Sequence, residues 1–132
     1  MTKRKKLFTL LMALCLMSAT LVWAAATSHT YTDTTPWIEH KTLVTGAKSN
    51  GTTYAPVSLS SSSQSAVTLW IDYQPPSSSW TLCTSNYPLT PGQSTNMSYW
   101  ATPAVSSPVR LRLGQVPIGD AGKAVSGAIN FN

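Results

Sequence analysis

Two hydrophobic patterns divide the chain. Residues 7–22 form an apolar run interrupted only by Thr9, Ser18 and Thr20. Further on, apolar and polar positions alternate with period two, the signature of half-buried strands. In residues 66–73, Val67, Leu69, Ile71 and Tyr73 share one face, and Thr68, Trp70 and Asp72 share the other. Residues 109–113 alternate most cleanly, with Val109, Leu111 and Leu113 inward and Arg110 and Arg112 outward. A last strand is expected where Val125, Gly127, Ile129 and Phe131 line one face. Weaker candidates at 37–44, 53–59, 80–84 and 95–101 bring the expectation to about seven short strands. Within them Met97 and Tyr99 are expected inward, Trp100 and Tyr54 outward.

The breaks between these segments carry turn chemistry. Asn50-Gly51 suits a tight turn with positive φ angles. The prolines of Pro75-Pro76 lack the N–H that a ladder needs. Pro91-Gly92 suits the central positions of a type II turn. Residues 60–63 read as a Ser-rich loop and 114–122, with three glycines, as a longer crossing. No sustained helical period follows the apolar run. Short strands at regular spacing with such turns predict an all-β fold, a small antiparallel β-sandwich.

The N-terminal run has the parts of an export signal. Lys3, Arg4, Lys5 and Lys6 precede it, and Ala24-Ala25-Ala26 offers small residues for a peptidase. Residues 1–26 are therefore expected to be a cleaved signal peptide of bacterial style, and 27–132 a single secreted domain. An uncleaved anchor is the rival, since residues 7–26 are just long enough to span a bilayer. Cys15 is not read as a lipidation site, because Leu14 before it is too large and Cys15 sits inside the run.

Removing that signal changes the charge argument. The whole chain carries +5, but four of its nine basic residues lie in the N-terminal cluster. The remainder holds five basic against four acidic residues, a net +1. No basic footprint remains, so nucleic acid is not expected as a partner. One cysteine is left, Cys83, which cannot close an intrachain disulfide. It reads as a small buried apolar side chain, with an intermolecular disulfide as the alternative. The aromatic residues and the many valines and leucines argue against disorder despite the Ser/Thr-rich composition.

One short stretch carries a resemblance. Leu89-Thr90-Pro91-Gly92-Gln93-Ser94, followed by Met97 and Tyr99, resembles the opening of a strand in secreted bacterial immunoglobulin-like domains. The resemblance implies an Ig-like β-sandwich used for display or adhesion. The paired cysteines of disulfide-bonded immunoglobulin domains are not present.

Catalytic constellations are sparse. There is no G-x-S-x-G elbow, and two histidines and four acids give no paired arrangement. No enzyme and no cofactor are expected. His29, Asp33, Glu39 and His40 fall close together, yet match no metal spacing. They read as solvated polar residues, and Glu39 and His40 would point to opposite faces of a strand. Asn50-Gly51-Thr52 and Asn96-Met97-Ser98 are chance glycosylation sequons for a bacterial host.

The outward aromatics and arginines carry the functional expectation. Trp70, Trp100, Arg110, Arg112 and Tyr54 would form a mixed surface patch if their strands are neighbours. Flat rings beside hydrogen-bonding side chains suit sugar stacking or a protein hot spot. Arginine packed on tryptophan gives the same pattern without a ligand. The expected function is a secreted, non-enzymatic interaction module for a protein or surface glycan. The alternatives are a self-associating structural or matrix protein, held through strand edges, and an antimicrobial or toxin-like protein.

Overall fold

The computed structural model describes residues 28–132. The signal segment 1–26 and Cys15 lie outside the described residues.

The chain forms nine strands: β1 (Ser28–Thr34), β2 (Lys41–Ala47), β3 (Tyr54–Leu59), β4 (Val67–Tyr73), β5 (Thr81–Leu82), β6 (Tyr87–Leu89), β7 (Ser94–Ser98), β8 (Pro108–Leu113) and β9 (Ala124–Asn130). Their alternation generates two fully antiparallel sheets. The first has the order β1-β9-β3-β7; the second runs β2-β8-β4-β5, with β6 also paired to β4. Consecutive strands mostly switch sheets, and β5 and β6 act as two halves of one broken strand. This is the two-Greek-key order of a jelly roll. In the immunoglobulin order the first two strands share a sheet; here β1 and β2 lie in opposite sheets.

The apolar faces of the longer strands β3, β4, β8 and β9, with that of β7, meet between the sheets. Ala55, Val57 and Leu59 of β3, Val125 and Ile129 of β9, and Met97 of β7 pack against Val67, Leu69 and Ile71 of β4 and Val109, Leu111 and Leu113 of β8. Each large aliphatic side chain buried there contributes about 2 kcal/mol. Phe131, beyond β9, closes one end of this core.

β1 has no such apolar run. Only Tyr31 is fully inward, and it reaches across β9 to donate a 2.7 Å hydrogen bond to the Ser58 carbonyl of β3. It can do so because residue 127, directly opposite, is glycine. A Cβ there would sit 2.0 Å from the Ser58 oxygen and 2.4 Å from the Tyr31 hydroxyl.

One side of the sandwich is closed between the sheets. Thr84 pairs with Tyr99, and the Ser98 N–H donates to the Tyr87 hydroxyl at 2.8 Å. Between β5 and β6 the Thr84 hydroxyl accepts the Ile71 N–H at 2.9 Å, standing in for the broken ladder.

Two local expectations change. β2 begins at Lys41, because Trp37, Ile38, Glu39 and His40 occupy an exposed connection. Neither Asn50 nor Gly51 has positive φ. Their loop is held instead by an Asx turn, in which Thr52 N–H donates to Asn50 Oδ1 at 2.8 Å, and by a buried lysine. Lys48 Nζ donates to the carbonyls of Asn50 (2.5 Å) and Thr52 (2.7 Å) and lies 5.1 Å from the Tyr99 ring centroid. Desolvation holds its ammonium below the ordinary lysine value. Pro91-Gly92 makes the expected turn, with Gly92 at φ 88° and a Gln93 N–H bond to the Thr90 carbonyl.

Candidate functional site

The outer face of the second sheet gathers the residues with most chemistry. Alternation turns Trp70 and Asp72 of β4 and Arg110 and Arg112 of β8 outward, and register then sets them opposite one another. Trp70 faces Arg112 and Asp72 faces Arg110. On the other side of β8, Thr42 of β2 faces Arg112.

Asp72 is the hinge of this face. Its Oδ2 accepts from Arg110 Nε at 3.2 Å and Nη2 at 3.0 Å, and lies 3.8 Å from Arg112 Nε. Two guanidinium groups thus share one carboxylate. Arg110 is also stacked, its guanidinium carbon 4.4 Å from the Trp80 ring centroid. That cation–π contact holds the arginine flat against the sheet.

Arg112 is less completely engaged. Nη1 donates to Thr42 Oγ1 at 2.6 Å, while its buried Nε has no hydrogen-bond partner. Desolvation, followed by repulsion from Arg110, lowers its proton affinity, with Asp72 acting in the opposite sense. The buried Nε is closed to a ligand; Nη2, which makes no hydrogen bond among the described residues and is not among the buried atoms, is the donor left for one.

Trp70 is fixed from two sides. His40 meets it edge-on, with ring centroids 4.9 Å apart. The imidazole is itself placed by the Gln115 N–H, which donates to Nδ1 at 3.3 Å and leaves the proton to Nε2. Beneath the indole lies Gly114, where a Cβ would come within 3.2 Å of Trp70 Cζ3. The result is a half-exposed ring flanked by oriented donors.

Of the five residues expected to share one patch, the structure brings Trp70, Arg110 and Arg112 together. It does not bring Trp100 or Tyr54 to them. Trp100 lies past β7, 64% exposed, with its indole N–H donating to the Leu82 carbonyl at 3.2 Å. Tyr54 belongs to β3 in the first sheet, opposite Ser98. Both are exposed, but neither shares the Trp70 face.

Trp80, His40, Asp72 and Thr42 complete the face, and they were not among the candidates. Trp80 and His40 precede strands, where no periodicity reports direction. Asp72 did show its outward position by alternation; its partners lie on β8.

The other candidates are dispersed. His29 packs against Phe131 with ring centroids 5.4 Å apart, and Asp33 pairs with Lys41 at 3.0 Å. Both belong to an ordered strand, β1. Among the described residues no three of His, Cys, Asp and Glu gather as a metal-binding group. Cys83 is wholly buried, with Sγ 3.3 Å from the Ile71 carbonyl oxygen, and burial raises its pKa from 9.0 to about 12. An intermolecular disulfide is out of its reach in this fold.

Among the described residues no helix is long and apolar enough to cross a membrane. The chain matches no protein-family model, no curated protein and no solved structure.

Proposed function

We propose that this chain is an exported, non-enzymatic binding module whose contact surface is the outer face of β2, β8 and β4, and that its ligand is a surface glycan. The carrying observation is the cross-strand placement of Trp70 beside Arg112, whose Nη2 makes no hydrogen bond among the described residues. An indole offers a sugar ring an apolar platform, and a planar donor fork at its edge suits vicinal hydroxyls or a carboxylate. The arginines are pre-positioned by Asp72, Trp80 and Thr42, so little ordering remains to be done on binding.

Jelly rolls include lectin domains. Export rests on the N-terminal sequence pattern.

Glycan arrays and pull-downs from cell surfaces test the reading. Trp70→Ala should weaken binding by tenfold or more, about 1.4 kcal/mol, and Arg112→Ala should weaken it comparably. Trp100→Ala should leave it unchanged. Binding that survives Trp70→Ala and Arg112→Ala removes this face from consideration. A Trp70-dependent protein partner with no glycan signal keeps the face and changes the ligand.

A further inference from the structure

β1 ends the first sheet, and among the described residues no strand pairs along its far side. Which of its backbone groups face outward follows from register. Thr35 N–H donates to the Lys123 carbonyl at 3.0 Å, continuing the β1–β9 ladder. Hydrogen-bonded pairs alternate along an antiparallel ladder, so Asp33, Tyr31 and His29 turn their N–H and C=O groups toward β9. Ser28, Thr30, Thr32 and Thr34 turn theirs away. The Thr34 carbonyl confirms the direction, since it accepts from Lys41 Nζ at 3.0 Å outside the sheet. Thr30 and Thr32 are left with outward backbone groups and uncharged β-branched side chains, which is the template that edge-to-edge pairing needs.

We infer that β1 is the dimerisation edge of this protein and that its occupant is β1 of a second copy, paired antiparallel about a two-fold axis at Tyr31. In that register Thr30 faces Thr32 of the second copy, and each such pair exchanges two backbone hydrogen bonds. This matches the outward set derived above, because an antiparallel pair centred on an odd-numbered residue joins even to even.

The same register brings His29 opposite Asp33 of the second copy. Asp33 Oδ1 is already occupied by Thr34 N–H at 2.7 Å and Lys41 Nζ at 3.0 Å. Oδ2 remains to accept an imidazole N–H. A cation-capable ring facing a carboxylate at both symmetry-related positions is the charge complementarity expected of a self-complementary interface.

The geometry has a consequence for binding. A two-fold axis relating antiparallel strands stands perpendicular to their sheet, so the second sheets of both copies fall on the same side. Two Trp70 faces then point in one direction, and a surface bearing repeated ligands engages both. Dimerisation itself is independent of what those faces bind.

Sedimentation of the chain, in the form its host processes, tests the edge directly. The expected result is a monomer–dimer equilibrium between about 10 μM and 1 mM. Thr32→Pro deletes an outward N–H that β9 does not use, so it should give a monomer with an unchanged circular dichroism spectrum. Thr32→Val, which keeps that N–H, should still dimerise. If Thr32→Pro fails to fold, Thr30→Lys combined with Thr32→Lys sets like charges opposite one another and should raise the dimer Kd at least tenfold. A wild-type chain that stays monomeric at the upper concentration overturns the inference. So does a dimer that persists in a folded Thr32→Pro chain or in the double lysine variant.

Discussion

The outer faces of the two sheets are built in opposite ways. On the first sheet, apart from Tyr54 at the start of β3, Thr30, Thr32, Ser126, Ala128, Pro56, Ser58, Ser94 and Asn96 present small uncharged groups. On the second, Trp70, Asp72, Arg110 and Arg112 crowd the middle of the sheet, with both arginines drawn to Asp72. The first face is kept in place from below, by close approach of backbone around Gly127 and Tyr31. The second is organised from above, by side chains that meet only because their strands are neighbours. A face of small residues leaves strand edges approachable, whereas a face of interlocked large residues offers an oriented surface.

The largest effect should come from disturbing the close approach. Gly127→Ala forces a methyl group into the Ser58 carbonyl, so β9 must move from β3. Destabilisation of about 3 kcal/mol is expected, read as a fall in Tm of about 15 °C. A change near zero would mean that the first sheet tolerates separation and is not set by that contact.

Asp72→Asn breaks the other face. It leaves two half-buried guanidinium groups without their shared counter-charge. Full burial would make the loss larger, and their partial exposure brings it to about 2 kcal/mol in urea unfolding. Loss of ligand binding should accompany it, because Arg110 and Arg112 lose their positioning. If stability is unchanged, Trp80 stacking holds Arg110 and Thr42 holds Arg112 without the carboxylate.

Alkaline titration separates the two regions more finely. Burial raises Cys83, which packs against β4, from 9.0 to about 12, and Tyr31, beneath the first sheet, from 10.0 to about 12. In both cases the folded chain keeps a proton that the unfolded chain sheds. Stability is therefore intact below about pH 9, falls by about 1.4 kcal/mol per pH unit while Cys83 alone is in play, and falls more steeply above about pH 10 where Tyr31 joins it. Cys83→Ala should delay the onset toward pH 10, and Tyr31→Phe should leave the onset in place but reduce the later slope. An onset unmoved by Cys83→Ala would place the alkaline sensitivity elsewhere.

Much of the second sheet was legible in the residues themselves. Val109 to Leu113 and the β4 segment alternate so plainly that the outward direction of Trp70, Arg110 and Arg112 could be read without a structure. β1 was not legible, because a strand with Tyr31 as its one fully buried side chain has no hydrophobic period to detect. β6 is too short to show one, and the Asn50-Gly51 loop follows Lys48 rather than its own turn preference.

Local alternation thus determined which side chains point out of a sheet, since that depends only on the two-residue repeat of an extended backbone. Which of them meet was decided by tertiary pairing. Asp72 and Arg110 are separated by 38 residues in sequence, and only the β4–β8 register brings them to 3.0 Å. The same long-range choice left Trp100 and Tyr54 outside the face, drew Trp80 and His40 into it, and left β1 without a second partner among the described residues.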